Sequence, residues 1–140
     1  MRIGLRAIAV AFGVSLMASP TLAHHSMGTY DQSTMKAVKG TVSHIEWRNP
    51  HARITLTVNN ADGTTGTQQI EIAGPAGLTQ KGFAKDLLNI GDSVTIESWM
   101  PKDSRYGNVP SGRILTLADG RRFDVGDNWL QAQPPENQPR

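Results

Sequence analysis

Residues 35–58 read "MKAVKGTVSHIEWRNPHARITLTV", and the pairing of the two halves of this stretch decides the fold. The second half alternates, with Ala52, Ile54, Leu56 and Val58 on one side and Arg53, Thr55 and Thr57 on the other, which is the period of a half-buried strand. The first half is rich in β-branched residues, and Gly40 inside it marks a bulge or a sharp bend. Asn49-Pro50 interrupts the run. Folding the halves about that break sets Trp47 against Ala52 and Ile45 against Ile54, both apolar pairs. Glu46 then opposes Arg53, and His44 opposes Thr55. A slip of one residue would set apolar against polar throughout, so the register is self-consistent. It gives one polar face carrying His44, Glu46, His51 and Arg53. Glu46 and Arg53 are read as a cross-strand ion pair, and Trp47 as a largely buried side chain of the core or the barrel rim. His44 and His51 would stand about four residues apart along the ladder, roughly 13 Å at ~3.3 Å per residue, too far to share one metal ion.

Working outward, "NNADGTTG" (59–66) is a run of turn formers, and "TQQIEIA" (67–73) is a third strand with Ile70 and Ile72 on one face. Residues 74–92 have helical spacing in places and glycine stops, which predicts one or two short helices. "SVTIESWM" (93–100) is a fourth strand, and 101–112 is a long polar loop. "RILTLADGRRFDV" (113–125) reads as a strand, a tight Asp119-Gly120 turn and a last strand. Glu71 and Glu97 fall on the alternating polar positions and read as solvated. Three strands, a short helical segment and then further strands is the order of a mainly β, OB-like barrel of five to six strands, with one or two short helices between strands 3 and 4. A long bent first strand suits it. An open β-sandwich is the competing architecture.

The chain begins with Arg2 and Arg6, continues with the apolar run "AIAVAFGVSLM" (7–17), and then offers small residues in "ASPTLA" (18–23). This is the pattern of a signal peptide cut after Ala23, giving a periplasmic or secreted protein. The apolar run is shorter than the roughly 20 residues of a membrane span, so the mature form is expected to have none. Removing residues 1–23 from 140 leaves 117, enough for one domain. Two of the 14 basic residues leave with the leader, so 12 Lys and Arg remain against 12 Asp and Glu. A formal charge of zero gives no reason to expect nucleic acid as a partner. With no cysteine, disulfides and thiolate metal sites are excluded. The expected organisation is a leader (1–23), an N-terminal segment (24–34), an OB-like domain (35–125) and a disordered, proline-rich tail (126–140).

"AHHS" after the leader, then "GTVSHIEWRNPHARITL", "GDSVTI", "PKD" and "LADGRR", resemble a family of small exported bacterial proteins of unknown function. Its pattern runs A-H-H-S … G-T-V-x-x-x-E-W-x-N-P-H. The resemblance covers about Ala23 to Phe123, and its most specific part is E-W-x-N-P-H. It implies no activity. It does imply that His24, His25, Glu46, Trp47, Asn49, Pro50 and His51 belong to the family pattern and that His44 does not. The family usually has an aromatic residue soon after H-H-S, where this chain has Met27 and then Tyr30.

A histidine at a free amino terminus is a distinctive ligand. Its α-amino nitrogen and ring Nδ1 close a chelate on one metal ion, and one further imidazole completes a T-shaped site suited to copper. The metal-ligand candidates are therefore His24, His25 and His51. Met27 and Met35 add thioethers that suit Cu(I). No G-x-S-x-G elbow, glycine-rich phosphate loop or H-E-x-x-H helix is present, so the expectation is a non-catalytic copper-binding protein. Two alternatives stand beside it: a metal-free module binding a periplasmic protein or small ligand, and an accessory subunit of an exported oxidoreductase. The copper reading requires the mature chain to start at His24. Intact mass of periplasmic material checks this, and a retained leader or a start beyond His25 removes the chelate.

Overall fold

The computed structural model describes residues 27–127. The leader, His24, His25 and the chain beyond Asp127 lie outside the described residues. The architecture is mainly β. Six strands run β1 (Tyr30–Glu46), β2 (Ala52–Asn59), β3 (Thr65–Ile72), β4 (Ser93–Pro101), β5 (Ser111–Leu117) and β6 (Arg122–Asp124), with one short helix, α1 (Pro75–Gln80), between β3 and β4. The order β3-β2-β1-β4-β5-β6 is antiparallel throughout, and a parallel bridge from Glu71 on β3 to Ser111 on β5 closes five strands into a ring.

Strand β1 begins five residues before the expected Met35 and serves two partners. Tyr30–Thr41 pairs with β4, and Thr41–Glu46 pairs with β2. Thr41 is the crossover, opposite both Thr57 and Ser93. The expected hairpin register is observed: His44 against Thr55, Ile45 against Ile54, Glu46 against Arg53. The bulge is not at Gly40 but at Ser43, between Val42 and His44. Gly40 has another task. A Cβ there would collide with the Thr57 carbonyl oxygen, so glycine lets β2 approach where β1 changes partners. A second register shift lies between Asp31 and Lys36, and Met35 within it is half exposed.

The core follows from alternation. Ala52, Ile54 and Leu56 of β2 point inward and are fully buried, as are Ile70 of β3, Ile96 of β4 and Leu115 of β5. Helix α1 has six residues and no side-chain cap, too little to be stable alone. It is held by Leu78, fully buried, and by Phe83 just beyond it. Trp47 takes the rim place rather than the core place of the two expected for it. It is half-buried and packs on the core's edge, its ring 6.2 Å from that of Phe83. The reason is positional: it follows the last residue of β1, where the ring ends.

Two substitutions test this. Gly40→Ala should cost about 1–3 kcal/mol, because the atom it meets is a ladder carbonyl that cannot move aside. Gly66→Ala, whose Cβ would come no nearer to a neighbour than 3.4 Å, from the Asn60 side chain, should cost less. Equal denaturant midpoints for the two would refute the close approach. Phe83→Ala should cost about 3–5 kcal/mol, and Trp47→Ala clearly less.

Candidate functional site

The motif residues Asn49, Pro50 and His51 form the corner between β1 and β2, and the Asn49–Pro50 peptide is cis. Ala52 is the first inward residue of β2, so His51 and Arg53 flank it on the outer face. Across the β2–β3 ladder Arg53 opposes Glu71, and Ala52 opposes Ile72. Glu71 is thereby turned outward between two buried isoleucines, and its two oxygens divide their work. Arg53 Nη2 lies 3.2 Å from Oε2, and His51 Nδ1 lies 3.2 Å from Oε1. The other ring nitrogen, Nε2, is 2.9 Å from Oδ2 of Asp127. The result is a chain of contacts, Arg53–Glu71–His51–Asp127, whose Glu71 side chain is 14% exposed and whose Asp127 side chain is 46% exposed. The inner end is fixed and the outer end is wet.

Neighbours extend this face. Arg113 Nη1 donates to the Asp127 carbonyl at 3.2 Å, and its guanidinium lies 4.4 Å from the centre of the Trp99 ring, a cation–π arrangement. Burial holds the Arg113 pKa below its ordinary value, against the opposing effect of Asp124 and Asp127. Lys81 Nζ is 3.1 Å from Asp124 Oδ1 and also donates to the Gly126 carbonyl. A cleft of about 230 Å³ beside this cluster is bounded by Asn49, Pro50, Gly74, Lys81 and Asp127, among others. Tyr30, the first residue of β1, is buried, and its phenol feels Glu71 and Arg53.

Of the candidate ligands, His51 sits in the cluster, whereas His24 and His25 lie outside the described residues. His44 stays apart, 3.9 Å from Glu46 on its own strand. The expected Glu46–Arg53 ion pair does not form, although the two are opposite. Arg53 is on a central strand with a carboxylate on either side and turns to Glu71, while Glu46 meets Arg48 at 3.0 Å. Two participants were missed. Glu71 was read as solvated, although aligning Ile54 with Ile70 would have set it against Arg53. Asp127 was assigned to the tail, and no local pattern marks its contact. Among the described residues no group of three or more His, Asp or Glu side chains is arranged to hold a metal ion, so a site of that size would need ligands from elsewhere in the chain. Among the same residues no helix is long and apolar enough to cross a membrane.

The chain belongs to a family of unknown function (DUF6152), whose model matches residues 12–109. No curated protein matches it. The matched region contains Tyr30, His51, Arg53 and Glu71 and ends before Arg113 and Asp127.

Tyr30 offers a pH test of the buried side of this cluster. Burial chiefly, and the Glu71 carboxylate next, push its phenol above the ordinary 10.0, with Arg53 opposing. A raised folded value means that the unfolded chain ionises first. The stability linked to Tyr30 is therefore complete below pH 10 and lost as pH rises through the folded value. Denaturant melts from about pH 8 to 11 should show a steeper alkaline loss for the native protein than for Tyr30→Phe. Parallel curves would show that Tyr30 is not shielded.

Proposed function

We propose that the protein is an exported, non-catalytic copper-binding protein, built on an OB-like barrel, whose mature terminal His24 and His25 bind the metal together with His51. The barrel reading is supported by the ring order, by β1 shared between β2 and β4, and by the helix between β3 and β4. Export is supported by the leader pattern of residues 1–23.

The observation that carries the metal reading is the posture of His51. Glu71, itself held by Arg53, lies on Nδ1. A carboxylate on one imidazole nitrogen selects the tautomer and leaves the other nitrogen to coordinate. Nε2 is that other nitrogen, and it faces an exposed carboxylate rather than the core. Proximity adds to this. Tyr30 lies within the electrostatic reach of Glu71 and Arg53, and His24 and His25 precede it by six and five residues. Met27–Thr29 is a 3-10 turn rising about 6 Å, and three extended residues before it would span about 10 Å, the reach through which the terminal chelate is proposed to meet His51.

The test is calorimetric titration of the mature protein with Cu(II). One ion should bind per chain. Extending the terminus by one alanine should weaken binding although no side chain is lost, because it moves the free amine off His24. His24→Ala and His51→Ala should also weaken it, Glu71→Gln by about tenfold through His51 orientation, and His44→Ala should not. Binding should fall as pH drops below about 7.7, the reference value of the α-amino group that must lose its proton. Equal affinity for native and extended termini would refute the chelate and favour a metal-free interaction module.

A further inference from the structure

We infer that the free edge of β1 at residues 36–40 takes up an extended, acidic segment of another protein as an added strand; this is independent of the copper reading. Strand β1 changes partners at Thr41, and β2 lies beside it only from that residue on. Before Thr41, β1 is paired on one side only, with β4. The Val42 amide donates to the Asp92 carbonyl at 2.9 Å, and the register from Thr41–Ser93 back to Lys36–Ser98 continues that spacing without a break. Alternation then turns the N–H and C=O groups of Lys36, Val38 and Gly40 toward β4 and those of Ala37 and Lys39 away from it. Among the described residues no strand lies along that outer side. Lys36, Ala37 and Lys39 are exposed, and Met35 just before them is 50% exposed. An unpaired edge of this kind is a template for one more strand. The outward amides at the end of β3 differ: Glu71 donates to the Pro110 carbonyl and Ala73 to the Val125 carbonyl.

Charge selects the occupant. Lys36 and Lys39 flank the edge on opposite faces, and among the described residues neither forms an ion pair. Glu97, opposite Ala37 on β4, is held by Arg122 at 2.8 Å. Edge lysines deter a second copy of the same strand. Two copies paired antiparallel about Ala37 would gather Lys36 and Lys39 of both chains along one seam with no opposing carboxylate. The same lysines attract a strand that carries carboxylates. Their spacing gives the pattern of that strand. Lys36 and Val38 share one face of β1, and Ala37 and Lys39 the other. An antiparallel strand therefore places an acidic residue opposite Lys39, then an apolar one opposite Val38, which is half-buried and packs on the core. Any residue serves opposite Ala37, and a second acidic one follows opposite Lys36. The order is acid, apolar, any, acid. Backbone hydrogen bonds supply the affinity and the two carboxylates the choice of partner.

The probe is the peptide acetyl-Thr-Glu-Val-Thr-Glu-Val-Thr-amide, titrated into the mature protein and read by amide hydrogen exchange in NMR spectra. With the peptide at about ten times its Kd, the Ala37 and Lys39 amides should exchange about tenfold more slowly, the mass-action factor for that occupancy. The Lys36 and Val38 amides, which already face β4, should change far less. Methylating the peptide nitrogen of the central Thr, which faces Ala37, should remove binding. Methylating that of the Val before it, whose N–H points away from β1, should not. The double variant Lys36→Glu/Lys39→Glu should bind this peptide at least about tenfold more weakly and should bind instead the peptide with Lys in place of Glu, a gain that a misfolded variant would not show. No slowing at Ala37 and Lys39, equal binding of the two methylated peptides, or an unchanged preference after charge reversal overturns the inference. Slowing of those amides that grows with protein concentration in the absence of peptide assigns the edge to a second copy and overturns it as well.

Discussion

One strand serving two partners is the constraint on which the molecule depends, and it is met where Gly40 lies against the Thr57 carbonyl. Before the crossover at Thr41, β1 is bonded to β4; after it, to β2. Any side chain at position 40 would hold β2 away. The consequences run around the ring. Tyr30 is carried to the far end of β4, β2 presents His51 and Arg53 at its start, and β3 reaches β5 through the single pair Glu71–Ser111. The residue that closes the ring is therefore the residue that orients His51. Backbone closure and the polar site meet at Glu71: its amide donates to the Pro110 carbonyl at 2.9 Å while its carboxylate serves Arg53 and His51.

The outer network takes its geometry from the inner one. Ala52, Ile54, Ile70 and Ile72 must all face inward to bury their apolar surface, and this alone sets Arg53 and Glu71 opposite each other outside. Arg53 and Glu71 then need no search for partners, so little side-chain entropy is lost in pairing them. A pair of this kind adds modestly to stability. Its larger effect is to position: Glu71 can lean on His51 because Arg53 holds its other oxygen.

What was legible in the sequence follows the same division. The 44–46 to 53–55 register, the β2 alternation, the Asp119-Gly120 turn and the helix after β3 could all be read, because local patterning and burial dictate them. Gly40 reads as a bulge or a sharp bend; these and a close approach all call for glycine, and only the partner strand distinguishes them. The Glu46–Arg53 ion pair was expected from a hairpin considered alone, and it failed once a third strand supplied a second carboxylate. Asp127 was beyond reach. Its contact spans 76 residues and depends on Val125 being anchored by Ala73 and Arg113, a fact of ring closure rather than of the polar composition around it.

In the proposed metal site a terminal chelate and a fixed imidazole would divide the work in a way that suits such a fold. A rigid ring is a poor source of three nitrogens at one point, since outward strand residues are spaced by the pleat, about 7 Å between alternate positions. His44 and His51 illustrate this, lying on one hairpin and meeting different neighbours. A tethered segment escapes the spacing. In the proposed site, His24 and His25 would meet His51 intramolecularly, at an effective concentration in the millimolar range. On the copper reading the ring would need to supply only one nitrogen, from His51, whose ring is held by Glu71 while Arg53 holds the other Glu71 oxygen.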